Sequence, residues 1–167
     1  PAAQQWQQAI DEEIAALTAN NTWTLETLPL GAKAITCRWI FKIKRSANGN
    51  IERYKARLVA TGFQQRPGAD YDEVYAPVSM HATLRVLLAE VAHKDLHLRQ
   101  VDIKTAFLNG QLEDDDVYMQ PPPGYAHAAN LVCRLHRSLY SLRQSPRAWH
   151  TRLCEVLTSQ GFRQSNA

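Results

Sequence analysis

Three features of the sequence predict an α+β fold with a mostly antiparallel sheet and packed helices. Apolar residues recur at helical spacing near the start, middle and end of the chain, and runs of period two lie between them. These runs show neither a regular strand-helix-strand alternation nor an internal repeat. Two of them flank Asn48-Gly49, the pair favoured by tight hairpin turns.

Trp6, Ile10, Ile14 and Leu17 share one helical face, with Asp11, Glu12 and Glu13 on the others, so an amphipathic helix is predicted over residues 4–19 and ended by Asn20-Asn21. A short strand follows over 22–28, then a turn at Pro29-Leu30-Gly31. Over 35–44, Ile35, Cys37, Trp39, Phe41 and Ile43 alternate with Thr36, Arg38, Ile40, Lys42 and Lys44, the pattern of a half-buried strand with one basic face. The return strand over 51–60 puts Arg53, Lys55 and Arg57 on one face and Tyr54, Ala56, Leu58 and Ala60 on the other. A two-residue turn at Asn48-Gly49 would set Ile43 against Tyr54, Phe41 against Ala56 and Trp39 against Leu58. The same register opposes Lys44 to Arg53 and Lys42 to Lys55.

Residues 62–77, with Pro67-Gly68, form a turn-rich connector. A helix over 83–93 carries Leu84, Leu87, Leu88 and Val91 as a core stripe, and a strand over 96–102 ends on Asp102. Short strands are expected over 117–120 and 131–135, separated by the break Pro121-Pro122-Pro123-Gly124. Ser145 is placed to cap a last helix with Pro146 at its first position; Trp149, Leu153, Val156 and Leu157 line its buried face and Gly161 ends it.

A chain of 167 residues that is 45% hydrophobic and 21% charged is long and apolar enough to bury a core. It opens Pro1-Ala2-Ala3-Gln4 without an initiator methionine or a signal pattern, and no apolar run approaches membrane length, so a soluble piece of a longer polypeptide is expected. Cys37, Cys133 and Cys154 are scattered without zinc-ligand spacing and are expected to be reduced core thiols of an intracellular protein. His93 and His97 are four apart, but the second falls on the strand leading to Asp102, so no metal role is expected of them.

The formal net charge of +3 does not by itself imply nucleic acid. Its distribution is more telling: between Arg38 and Arg57, seven basic residues stand against Glu52 alone. Like charges directly opposite on neighbouring strands cost stability, and a bound anion would offset that cost, so this face is expected to meet phosphates. A basic face that is merely solvated is the plainer alternative.

The run Val101-Asp102-Ile103-Lys104-Thr105-Ala106-Phe107 ends a strand-like stretch on an aspartate and continues into small and aromatic residues. An aspartate at a strand end holds a divalent cation at a sheet rim, Ala106 leaves room for a nucleotide, and Phe107 stacks under or blocks its sugar. Alone, Asp102 reads better as a turn cap than as a catalytic group, and Phe107 reads nearly as well as a core residue beside Leu108. Together with Trp39-Ile40-Phe41-Lys42, Arg53-Tyr54-Lys55-Ala56-Arg57-Leu58-Val59-Ala60, Tyr75-Ala76-Pro77-Val78, Val117-Tyr118-Met119-Gln120-Pro121 and Leu139-Tyr140-Ser141-Leu142-Arg143-Gln144-Ser145-Pro146, it resembles in order and spacing the reverse transcriptase of copia-type retrotransposons.

That resemblance implies polymerase fingers and a partial palm: residues 1–77 as the first part of the fingers, 78–109 as the first part of the palm, 110–144 as the second part of the fingers and 145–167 as a palm helix. It implies an RNA-directed DNA polymerase using Mg²⁺ (or Mn²⁺), deoxynucleoside triphosphates and an RNA or DNA template-primer, within a Pol polyprotein whose remainder is its partner, in a cytoplasmic particle or the nucleus and without a membrane. Asp102 would be the catalytic metal ligand, helped by the Ile103 carbonyl. Lys55 and Arg57 would hold the triphosphate, Tyr140 would belong to the nucleotide-floor loop, and Phe107 would exclude a ribose 2′-hydroxyl. Arg38, Lys42, Lys44 and Arg53 would hold nucleic acid.

The family's other two metal ligands are adjacent aspartates in an aromatic-x-Asp-Asp hairpin beyond the helix that starts at Ser145, and Glu113-Asp114-Asp115-Asp116 is read as a solvated loop rather than their substitute. A lone carboxylate holds Mg²⁺ poorly, so these 167 residues alone are expected to be inactive. Ser141 and Arg143 replace a glycine and a lysine of the family's Tyr-Gly-Leu-Lys-Gln, and a serine there would resist the positive φ that glycine permits. The alternative reading is a non-catalytic nucleic-acid-binding remnant of a degenerate element. A ribonuclease H type nuclease ranks below both, because it needs further acidic residues on neighbouring strands, and residues 83–93 and 131–135 supply Glu90 alone. No phosphate-cradling glycine loop or Ser/His/Asp motif competes.

Overall fold

The computed structural model of the protein describes residues 2–112, 116–125 and 130–164. Of the acidic run, Glu113, Asp114 and Asp115 lie outside the described residues, while Asp116 pairs with Arg134 at 2.9 Å.

Helix α1 spans Ala2–Ala19. Its end follows from the two asparagines: the Asn20 side chain donates to the Ala16 carbonyl at 2.7 Å, and Asn21 takes a left-handed φ of +48°. Strand β1 (Trp23–Thr27) pairs antiparallel with β6 (Leu131–Leu135), which pairs antiparallel with β5 (Tyr118–Met119); β2 (Ala34–Ile35) adds parallel to β5. The sheet order is therefore β1-β6-β5-β2, and β3 (Cys37–Arg45) with β4 (Ile51–Ala60) makes a separate hairpin. The α+β class with mostly antiparallel pairing is what the patterning indicates.

The strand expected over 35–44 divides at Thr36. The Thr36 amide donates to the Gln64 side chain at 3.0 Å, and its carbonyl accepts from the Thr61 amide at 2.9 Å, so the chain leaves one sheet and enters the other there. The hairpin register from Cys37↔Ala60 to Lys44↔Arg53 is the expected one. Its turn is longer than two residues. Ser46 pairs with Asn50 and accepts from the Gly49 amide, Gly49 has φ +80°, and the register shifts between Lys44 and Arg45. Asn48 is not among the positive-φ residues, so the left-handed pair that a two-residue turn needs is not formed.

The core gathers Leu17 of α1, Ile35, Leu58 of β4, Met119, Cys133 and Leu139, all at most 1% exposed. Trp6 extends α1 onto the hairpin, edge-on to Phe41 at 5.1 Å and Tyr54 at 4.6 Å. The other two long helices do not bury the faces assigned to them. In α2 (His81–His93) no residue is buried, and Leu84, Leu87 and Leu88 of the expected core stripe are 47%, 55% and 42% exposed. In α3 (Ser145–Ser159) Trp149 and Leu153 are half-buried, but Val156 and Leu157 are exposed. No strand forms over 96–102, where Leu98 is 60% and Val101 80% exposed. The common reason is that an amphipathic face is buried only against another element: among the described residues the first half of α3 meets the Ala106–Asn109 turn, and no helix or strand packs closely on α2.

Two 3₁₀ turns, Gly62–Gln64 and Ala106–Asn109, bring loops against this frame. A Cβ on Gly62 would lie 1.9 Å from the Ser141 carbonyl oxygen, so the backbones of Gly62 and the loop before α3 are in direct apposition. Ser141 adopts φ +71° despite its side chain, which corrects the expectation that serine would resist that conformation. Ser145 is the first helical residue rather than the cap; its hydroxyl donates to the Leu139 carbonyl, and Gln144 stands at the boundary without a side-chain cap.

Ser141→Gly, which relieves the left-handed strain, is expected to raise stability by roughly 0.5–1 kcal/mol in urea denaturation. Gly62→Ala is expected to lower it by about 2–3 kcal/mol through overpacking. An unchanged midpoint for Gly62→Ala would mean that the apposition is not maintained in solution.

Candidate functional site

Strand β4 has β3 on one side only. Its outer edge is closed by other means: the Leu58 amide donates to the Glu13 carboxylate at 3.3 Å and the Ala60 amide to the Tyr140 carbonyl at 3.0 Å. This brings α1 and the 138–145 loop to the same strand and leaves a cleft of about 410 Å³ between them. Lys55 and Arg57 of β4 line it, with Lys44 and Arg53 beside them. Asp102, Ile103 and Phe107 line the same cleft, and Tyr140 stands beside Arg57. Six residues expected from the sequence to hold nucleotide or metal therefore meet in one cavity. Arg38 and Lys42 do not line it: they lie exposed along β3, Lys42 directly opposite Lys55.

The aromatic part is ordered by contacts of known geometry. The Tyr140 ring meets Phe107 edge-on at 5.4 Å and 86°, and the Arg57 guanidinium carbon stands 5.2 Å from the centre of the Tyr140 ring. Phe107 is half-buried, while its neighbour Leu108 is the core residue at 1% exposure. The Phe107 carbonyl accepts both the Ser138 hydroxyl and the Gly110 amide. Gly110 has no room for a side chain, since a Cβ would stand 2.8 Å from the Ser138 hydroxyl and 2.9 Å from Ala148. Thr105, just before this turn, takes a left-handed φ of +51°, an outlier for a β-branched residue.

Electrostatically the cleft is crowded with like charge. Burial pushes the Lys55 ammonium below its ordinary value, and Arg57, Lys44 and Arg53 push it further, against the opposing pull of Glu13. Arg57 Nε is buried without a hydrogen-bond partner among the described residues. Part of the compensation comes from α1, where Glu12 pairs with Arg53 at 2.9 Å. Burial raises the Glu13 carboxyl above its ordinary value, against the opposing effects of the Leu58 amide, Lys55 and Arg57.

Sequence reading missed Glu12 and Glu13, together with Lys104, which also lines the cleft. A signal for the glutamates was available: Ala9 and Ala16 lie one turn either side of Glu13 and line the same cavity, and small residues on one helical face mark a close neighbour. Among the described residues no group of three or more His, Cys, Asp or Glu stands together as a metal site. Asp102 with the Ile103 carbonyl therefore does not fit a complete divalent-metal site by itself. All three cysteines are free; burial pushes Cys37 up to about 11 and Cys133 up to about 12, which keeps both protonated. No helix among the described residues is long and apolar enough to cross a membrane.

Comparison with known proteins gives a consistent assignment. The family described as "Reverse transcriptase (RNA-dependent DNA polymerase)" matches residues 20–167. The chain is 40% identical over 164 residues to the retrovirus-related Pol polyprotein from transposon TNT 1-94 of Nicotiana tabacum, a match covering 97% of this chain and 12% of the relative. It is 43% identical over 162 residues to the Pol polyprotein from transposon RE1 of Arabidopsis thaliana, covering 95% of this chain and 11% of the relative. The RE2 polyprotein of the same plant is 43% identical over 160 residues, covering 94% and 11%. The chain thus spans 11–12% of the length of these three polyproteins. No solved structure matches.

Because the folded chain favours the neutral form of Glu13, its contribution is fully present below about pH 4.5 and is lost as pH rises through the raised folded value. Glu13→Gln retains an acceptor for the Leu58 amide and is expected to melt higher than the parent at pH 7, with the gap closing by pH 4. A lower melting temperature at pH 7 would show that the attraction to Lys55 and Arg57 outweighs burial.

Proposed function

The chain belongs to the reverse transcriptase (RNA-dependent DNA polymerase) family, as retrotransposon Pol polyprotein sequence, and we propose that its cleft receives the deoxynucleoside triphosphate while the basic hairpin beside it holds the template. The observation that carries this reading is the meeting of Lys55 and Arg57 with Asp102, Ile103, Phe107 and Tyr140 in one cavity.

In this reading Lys55 and Arg57, which line the cleft, neutralise the triphosphate. Tyr140 supports the nucleotide, and the ring of Phe107, whose carbonyl accepts from Ser138 and Gly110, excludes a 2′-hydroxyl. Arg38, Lys42, Lys44 and Arg53 continue the positive face along the hairpin toward the template-primer. The apposed like-charge pairs Lys42–Lys55 and Lys44–Arg53 favour an anionic ligand over a solvated face.

Asp102 and the Ile103 carbonyl would hold Mg²⁺ or Mn²⁺ only beside further carboxylates and substrate phosphates, which in this family come from the aromatic-x-Asp-Asp hairpin. The residues of this chain accordingly bind and orient, and the 167 residues alone are proposed to be inactive in primer extension. Residues 1–77 and 110–144 correspond to the fingers in this reading, and residues 78–109 and 145–167 to parts of the palm. The uneven burial supports that division, since exposed apolar residues concentrate in α2, in 96–103 and in the second half of α3. A non-catalytic nucleic-acid-binding remnant shares the same basic face, and primer extension by a chain continued through the Asp-Asp hairpin separates the two.

Lys55→Glu and Arg57→Ala are each expected to weaken triphosphate binding by about tenfold, the scale of one charge-assisted contact. Lys42→Glu is expected to weaken template binding and to lower its salt slope by about 1. Unchanged binding of both ligands in Lys42→Glu and Lys55→Glu would overturn the reading. In the continued chain, Phe107→Val is expected to raise ribonucleotide incorporation.

A further inference from the structure

The loop that carries Tyr140 is strained at Ser141, lies directly on Gly62, and is held from beneath by side chains far away in sequence. Gln65 and Gln144 are 6% and 4% exposed, so their amides have been taken out of water and must be paired. The Gln65 side-chain oxygen accepts the Arg143 amide at 2.9 Å, and its nitrogen donates to the Gln144 side-chain oxygen at 2.9 Å. The Gln144 nitrogen donates to the Asp70 carbonyl at 3.1 Å. Asp70, itself 5% exposed, accepts from the Arg66 backbone amide at 2.6 Å and from its guanidinium at 3.1 Å.

A continuous buried chain of hydrogen bonds thus runs from the 66–70 turn to the backbone of the loop at Arg143, three residues from Tyr140. On its other side Tyr140 is fixed by its carbonyl on Ala60 and by its ring contacts with Phe107 and Arg57. Left-handed serine persists only where the surroundings determine it from both sides, and Gly62 with the two glutamines supplies one of those sides.

We propose that Gln65 and Gln144 are positioning residues for the nucleotide-floor loop: without touching a ligand, they set the height at which the Tyr140 ring meets Arg57 and Phe107, and so tune nucleotide affinity through Tyr140. The tuning rests on the nucleotide reading of the cleft, whereas the positioning itself does not.

The test uses the 167-residue chain with ring-labelled tyrosine, the Tyr140 resonances being identified by their loss in Tyr140→Phe. Gln65→Met keeps the side-chain length and removes both hydrogen bonds; it is expected to shift the Tyr140 ring signals while thermal unfolding stays cooperative. If Gln65→Met does not fold, Gln144→Glu serves instead, keeping the acceptor for Gln65 and losing the donor to Asp70. The dissociation constant for dTTP is expected to rise about fivefold in Gln65→Met, and the same substitution in a Tyr140→Ala background is expected to have no further effect. Unmoved Tyr140 signals would overturn the proposal, as would an undiminished effect on dTTP in the Tyr140→Ala background. Shifted signals in a chain whose parent fails to bind dTTP would uphold the positioning and instead overturn the nucleotide reading.

Discussion

Strand β4 has one strand partner, and its other edge has to be satisfied by something else. An edge strand presents unpaired amides, and a buried unpaired amide costs a large part of a hydrogen bond's worth. Glu13 of α1 and the Tyr140 carbonyl take the Leu58 and Ala60 amides, and the rest of the site follows from those two bonds. They draw the first helix and the loop before the last one onto a single strand whose alternate residues are Lys55 and Arg57. Asp102, Ile103 and Phe107 line the same cavity.

The second constraint is electrostatic. Pairing Lys42 with Lys55 and Lys44 with Arg53 concentrates positive charge that neither strand can relieve alone. The fold relieves it in part with carboxylates from outside the hairpin, Glu12 on Arg53 and Glu13 near Lys55 and Arg57. Glu13 is held there at a cost, since burial opposes its charge. A phosphate group arriving in the cleft would meet a basic face already partly neutralised, so its affinity reflects the difference between ligand and internal carboxylates as well as the number of lysines and arginines.

Burial is distributed as unevenly as charge. The core joins α1, both sheets and the loops around Leu108 and Leu139, while α2, residues 96–103 and the far half of α3 keep leucines and valines in water. Their sequence pattern is that of packed elements and their environment is not. Positioning near the cleft therefore relies on short-range devices: the Ser138 hydroxyl on Phe107, the apposition of Gly62 with Ser141, and the Gln65–Gln144 pair. Left-handed Thr105 and Ser141 occur where those devices act.

Much of the fold was legible in the residues themselves. Helical spacing gave α1, alternation and Asn48-Gly49 gave the hairpin with its like-charge register, and short apolar runs between turn residues gave β1 and β6. These are local properties, fixed by periodicity and turn chemistry within a few residues. Sequence order also carried the family, and it singled out Asp102, Lys55, Arg57, Phe107 and Tyr140, which the fold brings to one cavity. Only the tertiary structure decided that the strand expected over 35–44 breaks at Thr36, that the stripe of α2 stays exposed, and that Glu12 and Glu13 stand among the cations of the cleft. Each of those depends on what a distant segment offers, whether a hydrogen-bond partner, an apolar face or a strand edge, and no local pattern encodes the identity of that partner.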